Sequence, residues 1–306
     1  MFSIVIPLYN KEKHIKNTLY SVLNQNYQSF EIIIVDDGST DDSAEVVKSI
    51  KDERIKLIFQ INQGVSSARN NGIKNAKYKY IAFLDADDFW YPNHLEELKN
   101  LIDIYPNNGF YSTSYEIQRD GKTLVPDNGL GGDFFGEVDG FFNSFSKGLS
   151  LVCSSTACVH KDLLKNIDGF PVFAKKGEDV YAWIRLALIA KLAHSDSVTA
   201  VYYQDAENRN NTSLSGEIPY YVLWLDQIIN DQKVGKKIQQ EAKHFLKNAI
   251  FFSAAGFKLD GNQLALENLQ KLQIIKEFDL WLKLRVLTLV PNRILEFLKR
   301  FRHKSK

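Results

Sequence analysis

The sequence predicts an α/β fold, with a mostly parallel central sheet flanked by helices and a helical extension at the C-terminus. In the first third of the chain, short apolar runs alternate with amphipathic segments, the pattern of strands joined by crossover helices. The run at 31–36 is rich in β-branched residues, as expected for a strand buried on both faces of a parallel sheet. From about residue 216 onward, apolar residues recur at helical spacing.

Four strands are expected in the first third of the chain, each followed by a helix. The strands are predicted at 3–8, 31–36, 55–60 and 80–84. The helices between them are predicted at 12–25, from a cap at Thr40 or Asp41 to about 50, and at 64–77. Pro92 and Asn93 open a further helix. Residues 109–150 show no clear pattern, whereas a helix is expected from Glu178 and a strand at 197–203.

The composition fits a globular protein whose partners are not nucleic acids. The 306 residues allow one large domain or a domain with an appendage, which we place at 1–215 and 216–306. The 38 basic and 37 acidic residues give a net charge of +1, which argues against nucleic acid as a bulk partner. Without a long apolar run or a basic leader, the chain is expected in the cytoplasm, with peripheral binding to the inner face of the membrane as a further expectation.

The most informative stretch is 79–91, where a short apolar strand ends in three carboxylates, Asp85, Asp87 and Asp88. Grouped carboxylates repel one another and lose hydration, so they need a cation or strong donors. For an isolated Asp-x-Asp, a turn that caps the next helix is the alternative. Tyr9 and Asp37 also follow predicted strands, and ligands bind at the carboxyl ends of strands in such sheets. These polar groups are therefore expected in one crevice.

Common nucleotide-binding fingerprints are missing from the sequence. No Gly-x-Gly-x-x-Gly follows the first strand, and no Gly-x4-Gly-Lys-Ser/Thr occurs. Phosphate charge, if present, would have to be met by a divalent metal on the aspartates, with help from Arg69.

Four motifs together resemble one enzyme family. They are Ser-Ile-Val-Ile-Pro-Leu-Tyr-Asn at 3–10, Ile-Val-Asp-Asp-Gly-Ser-Thr-Asp at 34–41, Asn-Gln-Gly-Val-Ser-Ser-Ala-Arg-Asn-Asn-Gly at 62–72 and Phe-Leu-Asp-Ala-Asp-Asp at 83–88. In this order and spacing they resemble the family 2 glycosyltransferases of the GT-A fold, over about residues 2–205. The resemblance implies a nucleotide-diphospho-sugar donor and an inverting transfer.

The resemblance also implies roles for individual residues. Pro7 and Tyr9 would frame the base, with the Tyr9 ring as a stacking surface. Asp37 would accept a hydrogen bond from the base, and Asp85 would hold the ribose side. Asp87 would ligate Mg²⁺ or Mn²⁺ that bridges the diphosphate.

Arg69 would support the phosphates or orient the aspartates. Structural alternatives remain open for three of these residues. Tyr9 could be a rim aromatic, Asp37 a helix-turn cap, and Arg69 an ordinary surface partner of the acidic edge.

Glu178 and Asp179 resemble the Glu-Asp motif of the family, which implies that Asp179 is the general base and that Glu178 helps in positioning. Acidic residues in a first helical turn are also favoured by the helix dipole, which is the structural alternative. The sequence departs from the family after the strand at 197–203, where a His-containing loop is replaced by residues 204–215. Arg209 could neutralise phosphate there, but the residue that completes the metal shell stays open.

The C-terminal segment 281–306 combines apolar and basic residues at helical spacing, with Glu296 as its one acid. This pattern suits a helix on an anionic membrane, and the alternative is a terminal helix that caps the domain.

The resemblance therefore implies an inverting hexosyl- or N-acetylhexosaminyl-transferase that uses a UDP-sugar and a divalent cation. The acceptor is expected to be a hydroxyl of a glycan or a lipid-linked sugar. A non-catalytic binder of sugar nucleotides is one alternative. The other is a phosphatase with an aspartyl nucleophile, although that motif normally follows the first strand and continues with Thr or Val.

Overall fold

The computed structural model describes residues 1–148, 151–205, 217–229 and 235–295. These residues form two compact units. The first comprises the described residues within 1–174 and 178–205, and the second comprises 175–177 and the described residues from 217 onward. The predicted domain boundary at 215 lies outside the described residues.

The first unit is built on one sheet. Its strands are β1 (Phe2–Leu8), β2 (Phe30–Asp36), β3 (Ile55–Phe59), β4 (Tyr80–Phe83), β5 (Phe89–Trp90), β6 (Phe110–Arg119), β7 (Lys122–Leu124), β8 (Phe135–Glu137), β9 (Ala157–His160) and β10 (Leu192–Tyr203). Its helices are α1 (Ile15–Leu23), α2 (Ser43–Ser49), α3 (Val65–Asn75), α4 (His94–Ile104), α5 (Phe141–Gly148), α6 (Lys161–Asn166) and α7 (Glu178–Ile189).

The strand order is β3-β2-β1-β4-β9-β6-β10-β5, with β7 paired to β6 and β8 paired to β10. The four strands β3, β2, β1 and β4 are parallel to one another, and β6 is parallel to β10. β9 lies antiparallel between β4 and β6. The α/β fold class with helices around a central sheet is confirmed, and its all-parallel part is the half built from the first four expected strands.

Burial explains the apolar runs in the middle of β1 and β2. Every residue from Ile32 to Val35 is completely buried, and so is the run from Ile4 to Ile6 in β1. Helix α3 approaches β1 closely at Gly72, where an added Cβ would lie 2.4 Å from Val5 Cγ1. The glycine therefore lets this helix lie directly on the sheet.

Some predicted bounds were wrong. α1 begins at Ile15 rather than at residue 12, because residues 11–14 form a turn in which His14 N donates to the Lys11 carbonyl. β6 lies in the stretch where the sequence showed no pattern, and β10 begins at Leu192, five positions before the predicted residue 197. Both strands bury polar side chains, including Ser112 and His194, which bond to each other at 2.7 Å. Buried polar residues hide the apolar periodicity of a strand.

The second unit contains the expected C-terminal helices. They are α8 (Tyr220–Ile228), α9 (Lys236–Leu259), α10 (Gln263–Leu269) and α11 (Phe278–Leu289). The buried carboxylate of Asp226 accepts hydrogen bonds from Gln273 N and Ile274 N at 2.7 and 2.9 Å, which ties α8 to the 3₁₀ turn before α11. Within the described ranges, no helix is both long enough and apolar enough to cross a membrane.

Candidate active site

Three polar segments meet at the carboxyl edge of the sheet. β1 lies between β2 and β4, and all three strands are parallel. Their carboxyl ends therefore bring together Tyr9, Asp37 and the acidic turn, which we define as residues 85–88. This is the juxtaposition that the spacing of the strands predicts.

Tyr9 directly follows β1 and is 43% exposed. The next residue, Asn10, has a left-handed backbone with φ of 51°, and its side chain accepts a hydrogen bond from Thr40 N at 2.8 Å. Asn10 N in turn donates to Ser39 Oγ at 3.1 Å. Pro7 lies within β1, opposite Val35 and beyond the last pair that β1 makes with β4. The Pro7–Tyr9 segment is thus held by the turn after β2.

Asp37 is buried and organises the loop before α3. Its Oδ1 accepts from Gln60 Nε2 at 2.7 Å and from Gln63 N at 2.8 Å, and its Oδ2 accepts from Gly64 N at 2.8 Å. A carboxylate has roughly four acceptor positions, so these contacts leave about one for a ligand. Asp37 does not act as the helix-turn cap considered from sequence, because its own turn is closed by Asp36 Oδ1, which accepts from Ser39 N at 2.8 Å, and the N-cap of α2 is Asp42. The bonds of Asp37 to the loop before α3 leave room for a contact with a base.

Two carboxylates of the acidic turn are paired with cations from distant positions. Asp85 Oδ1 accepts from Arg69 Nη2 at 2.9 Å, and Asp87 Oδ2 accepts from Lys11 Nζ at 2.8 Å. In this structure, Arg69 and Lys11 therefore balance the negative charge of Asp85 and Asp87, for which the sequence predicted a cation.

The third carboxylate, Asp88, has a structural role. It is buried, and it accepts from Ser155 Oγ at 2.5 Å and from Tyr203 N at 3.2 Å. Ser155 Oγ also accepts from Asp85 N at 3.1 Å. Asp88 does not cap α4, whose N-cap residue is Asn93. The capping alternative for this turn was wrong because Asp88 points to β10 and to the segment before β9.

Arg69 connects the acidic turn to the start of α7. Its guanidinium is 4% exposed, and its Nη1 donates to Glu178 Oε1 at 3.2 Å while Nη2 holds Asp85. Burial disfavours the charged form, but the carboxylates of Asp85 and Glu178 raise the pKa of Arg69 above its usual range. The surface-partner alternative is wrong, because the group is buried. The geometry fits a residue that orients carboxylates.

Glu178 and Asp179 begin α7, and the pKa of each carboxyl group is raised. Burial and the neighbouring Asp179 raise the pKa of Glu178 to about 7, against the opposing effect of Arg69. Burial also raises the pKa of Asp179. Asp179 Oδ1 accepts from Val180 N at 2.7 Å, whereas Glu178 is held by Arg69. Raised carboxyl pKa values suit a group that takes a proton near neutral pH.

Two sequence motifs, Asn-Asn-Gly at 70–72 and Asp-Gly-Phe at 168–170, are joined by hydrogen bonds next to Arg69. The Asn70 side chain donates to the Phe170 carbonyl at 2.7 Å and accepts from Phe170 N at 2.8 Å. Gly169 has a φ of +68°, and a Cβ there would lie 2.4 Å from Asn70 Oδ1. The Phe170 ring lies 5.2 Å from the Arg69 guanidinium. The Asn-Asn-Gly and Asp-Gly-Phe motifs thus position the arginine.

A divalent cation at this edge would need ligand atoms from the bound donor as well as from the protein. Among the described residues, no group of three or more His, Cys, Asp or Glu side chains is arranged to hold a metal ion. Asp87 supplies carboxylate oxygen, the ligand type that Mg²⁺ and Mn²⁺ prefer, and Mg²⁺ is often bound by one carboxylate together with substrate phosphates. The donor set therefore suits a cation completed by a diphosphate. Arg209 and residues 206–215, where a further ligand was considered, lie outside the described residues.

Lys11 and Ser155 were missed from sequence. Lys11 directly follows the first motif, which is the only signal that could have pointed to it. Its partner Asp87 is 76 positions away, and Ser155 lies 67 positions from Asp88. Such pairs depend on the order of strands in the sheet.

A sequence model of the family described as Glycosyl transferase family 2 matches residues 3–166. An uncharacterized glycosyltransferase of Rickettsia bellii is 38% identical over 190 residues, covering 60% of this chain and 26% of that protein. The Escherichia coli protein WfgD, a UDP-Glc:alpha-D-GlcNAc-diphosphoundecaprenol beta-1,3-glucosyltransferase, is 33% identical over 187 residues, covering 61% of this chain and 69% of that protein. The matched regions span 26% to 42% of the length of the first four curated relatives.

Solved structures share the fold. S. aureus TarS 1–349 in complex with UDP-GlcNAc superposes with a TM-score of 0.75 at 20% identity, covering 100% of this chain and 93% of that one. The mannosyltransferase PcManGT from Pyrobaculum calidifontis, in complex with GDP-Man and Mn²⁺, gives a TM-score of 0.54 at 17% identity, covering 99% of this chain and 88% of that one. At these identities the likeness concerns the fold alone.

Proposed function

The chain belongs to glycosyl transferase family 2, and from this premise we propose that it is an inverting glycosyltransferase. It moves a sugar from a nucleotide-diphospho-sugar, with a UDP-sugar favoured, to a hydroxyl of a glycan or lipid-linked acceptor. The observation that carries the proposal is the Asp85–Arg69–Glu178 bridge, with distances of 2.9 and 3.2 Å, which joins the donor-side acidic turn to the base-side start of α7.

The relatives support the choice of substrates. WfgD and WfaP of Escherichia coli, both 33% identical, are named for transfer from UDP-Glc to a diphosphoundecaprenol-linked GlcNAc. TarS was solved with UDP-GlcNAc. All three proteins support a UDP-sugar as the donor. WfgD and WfaP also support a sugar on a lipid diphosphate as the acceptor. Family membership favours this chemistry over the aspartyl phosphatase.

The donor would lie along the carboxyl edge of the sheet. The exposed Tyr9 ring stacks on the base beside Pro7. Asp37 uses its remaining acceptor position for the edge of the base, as the three bonds to the loop before α3 allow. Asp85, held by Arg69 and 28% exposed, faces the ribose. Arg69 acts through the carboxylates that it orients, because its own guanidinium is buried.

Asp87 would hold the divalent cation, Mg²⁺ or Mn²⁺, together with the donor diphosphate. When bound, the cation acts as a Lewis acid that stabilises the negative charge of the leaving diphosphate. PcManGT, solved with GDP-Man and Mn²⁺, supports this assignment at the level of the fold.

Asp179 takes the proton of the acceptor hydroxyl. The freed oxygen attacks C1 of the donor sugar from the face opposite the diphosphate, and a new C1–O bond forms. The bond from C1 to the diphosphate oxygen breaks, its electron pair leaves with the nucleoside diphosphate, and the configuration at C1 inverts. Glu178, held by Arg69, keeps the start of α7 in place.

The test is transfer from UDP-Glc and UDP-GlcNAc to a diphosphoundecaprenol-linked sugar in the presence of Mn²⁺, with UDP binding measured by calorimetry. The Asp179→Asn variant should lose at least about 100-fold in kcat, the usual contribution of a positioned base, with UDP binding retained. The matched control is Asp162→Asn, an exposed acid at the start of α6, which should transfer at the wild-type rate.

The alternatives predict other results. Transfer by Asp179→Asn at the wild-type rate would refute the base assignment. Tight binding of UDP and Mn²⁺ with no transfer to any lipid extract would indicate a non-catalytic binder. Robust Mg²⁺-dependent hydrolysis of a generic phosphate ester would favour the phosphatase.

We also propose that residues 281–306 bind an anionic membrane, and that residues 216–306 form a helical extension of the catalytic part, 1–215. α11 buries Leu280 and Leu287 but leaves large apolar side chains exposed, with Phe278 at 72% and Leu289 at 82%. Lys283 and Arg285 lie on the same helix, and the Arg285 guanidinium lies 5.4 Å from the Trp281 ring. Residues 296–306, which hold most of the basic groups, lie outside the described residues. Exposed apolar and basic side chains together favour an anionic surface.

Co-sedimentation with vesicles tests this surface. Binding to phosphatidylglycerol vesicles should exceed binding to phosphatidylcholine vesicles, and salt should weaken it. Replacing Val286 and Leu289, which are 52% and 82% exposed, with Ser should reduce binding without loss of helix content by circular dichroism. Equal binding to both lipids, or no effect of the double substitution, would contradict the proposal.

A further inference from the structure

Tyr115 lies near the carboxyl end of β6, beside the segment that supports the acidic turn. The pairing of β6 with β9 ends at Ser112, and the residues of β6 beyond it run past the 3₁₀ turn Ser154–Thr156, which immediately precedes β9. β6 contacts this 3₁₀ turn. Within the turn, Ser155 Oγ accepts from Asp85 N at 3.1 Å. The strand therefore carries the Tyr115 side chain to the edge of the sheet where the site is built.

The Tyr115 ring is packed, but its hydroxyl makes no hydrogen bond to any part of the chain that the structure describes. The residue is 7% exposed, and its ring meets that of Tyr202 edge-on, with the centroids 6.3 Å apart. The hydroxyl oxygen is not fully enclosed, so it belongs to the small part of the side chain that reaches solvent. Most buried hydroxyl groups are hydrogen-bonded to protein or to ordered water. Tyr115 therefore has a donor and acceptor group that a ligand can use.

The charges around Tyr115 place its hydroxyl near both sides of the site. Burial raises the pKa of Tyr115 well above its usual range, and further contributions in the same direction come from Cys153, Tyr202, Asp179 and Asp88. Electrostatic effects decline with distance, so the hydroxyl is close to the proposed base as well as to the acidic turn. It stays neutral near neutral pH, and it can therefore donate a hydrogen bond.

In the proposed reaction, the transferred sugar lies between the diphosphate held through Asp87 and the base Asp179, because the acceptor attacks C1 from the face opposite the diphosphate. A hydroxyl that is close to both the acidic turn and Asp179 borders that space. We propose that the Tyr115 hydroxyl donates a hydrogen bond to an oxygen atom of the transferred sugar and so contributes to the choice of sugar. This inference rests on the proposed function.

Tyr111 offers a matched comparison on the same strand. Its side chain and that of Tyr115 project from the same face of β6, because the two residues are an even number of positions apart. The Tyr111 hydroxyl donates to the Tyr105 carbonyl at 2.8 Å and accepts from Gly109 N at 3.1 Å. Tyr111 thus uses its hydroxyl to hold the start of the strand, whereas Tyr115 has its hydroxyl available for a ligand.

The experiment is a calorimetric titration with UDP, UDP-Glc, UDP-GlcNAc and UDP-Gal in the presence of Mn²⁺. No acceptor is added, so that binding is measured without transfer. Wild type, Tyr115→Phe and Tyr111→Phe are compared, and the melting temperature of each protein is measured without ligand. The comparison of each UDP-sugar with UDP separates contacts to the sugar from contacts to the nucleotide.

Tyr115→Phe should weaken binding of the UDP-sugar that wild type binds most tightly by about fivefold, the scale of one hydrogen bond between neutral groups. Its affinity for UDP and its melting temperature should match those of wild type, because no hydrogen bond within the protein is lost. Tyr111→Phe should lower the melting temperature and leave the affinities for UDP and the UDP-sugars unchanged.

Deoxy analogues of the same UDP-sugar identify the oxygen atom that is bound. The analogue that lacks this oxygen should bind wild type and Tyr115→Phe equally, whereas the other analogues should keep the fivefold difference. If every analogue keeps the difference, the hydroxyl does not bond to the sugar and the inference is overturned.

The remaining outcomes separate this inference from the proposed function. If Tyr115→Phe leaves the affinity for every UDP-sugar unchanged, or weakens UDP as much as the UDP-sugars, the inference is overturned and the donor site stands. If wild type binds neither UDP nor any of the UDP-sugars, the proposed UDP-sugar donor and this inference both fall.

Discussion

At the scale of single residues, the chemistry of this protein depends on how charges are paired at the carboxyl edge of the sheet. The buried Arg69 forms ion pairs with Asp85 and Glu178, and Lys11 forms an ion pair with Asp87. The charge of Asp179 is the one that the proposed reaction uses. The pKa of Asp179 therefore depends on the positions of the neighbouring charges of Arg69 and Asp85.

The pH dependence of transfer should reveal the coupling between Glu178 and Asp179. Burial raises the carboxyl pKa of Asp179, so kcat/KM should fall as the pH drops and the base becomes protonated, at a higher pH than for an ordinary aspartate. Glu178→Gln removes a negative charge beside Asp179, which favours the ionised base, so the acid limb should move to lower pH. The measurement is kcat/KM against pH for both proteins.

The Glu178→Gln variant also tests whether Glu178 or Asp179 is the general base. If Glu178→Gln abolishes transfer as completely as Asp179→Asn, Glu178 is the base. An acid limb that stays in place or moves to higher pH would show that the two groups are not coupled in the expected sense.

Removal of the Arg69 charge should destabilise the protein. Arg69→Met leaves Glu178 and Asp85 without their cation, and breaking such a buried pair costs about 3 kcal/mol, the low end of the usual range because Asp85 is 28% exposed. The loss should be larger at pH 8 than at pH 5, because protonation of Glu178 relieves the unpaired charge. Urea denaturation at both pH values measures the loss. A loss that is independent of pH would indicate a packing effect only.

At the scale of elements, α3 is the part that organises the site. Asp37 holds the loop at its N-terminus, Arg69 projects from it to the carboxylates, and Asn70 locks it to the segment before α7. Gly72 lets it lie on β1. One helix thus links the base-side residue, the acidic turn and the start of α7.

Because Asn70 is held against Gly169 by its hydrogen bonds to Phe170, a methyl group at Gly169 should reduce the free energy of unfolding. Gly169→Ala adds a steric clash with Asn70 Oδ1 to the strain of a positive φ, for about 3 kcal/mol in all. Gly121→Ala is the matched control, because Gly121 has a φ of +67° and nothing lies within 4 Å of its added Cβ. The control should lose about 1 kcal/mol by urea denaturation. Equal losses in the two variants would show that the lock contributes nothing.

At the scale of the whole molecule, donor binding should appear as a gain in global stability. A ligand that binds only the folded protein stabilises it by roughly 2.7 kcal/mol at a hundred times its dissociation constant. UDP with Mn²⁺ should therefore raise the melting temperature more than GDP or dTDP with Mn²⁺, and Asp87→Asn should reduce the shift. A thermal-shift screen measures this, and a larger shift with GDP or dTDP would reassign the base.

Particular residues show how far prediction from sequence reached. The runs at 3–8, 31–36 and 80–84 were recognised as strands because each consists of consecutive apolar residues, and the topology places Tyr9, Asp37 and Asp85 at one edge as expected. β6 and the first part of β10 were not recognised. Their buried Ser112 and His194 satisfy each other across strands, so neither strand shows the apolar pattern of a core element.

By itself, the sequence determined the α/β class, the parallel strands β1 to β4, and the polar residues that follow them. Each of these is encoded in neighbouring residues, since strand and helix periods and turn chemistry are local. Only the tertiary structure decided that β9 enters between β4 and β6, that Lys11 neutralises Asp87, and that Arg69 is buried between Asp85 and Glu178. These contacts join positions 16 to 109 residues apart, and the energy of each depends on which strands become neighbours in the sheet.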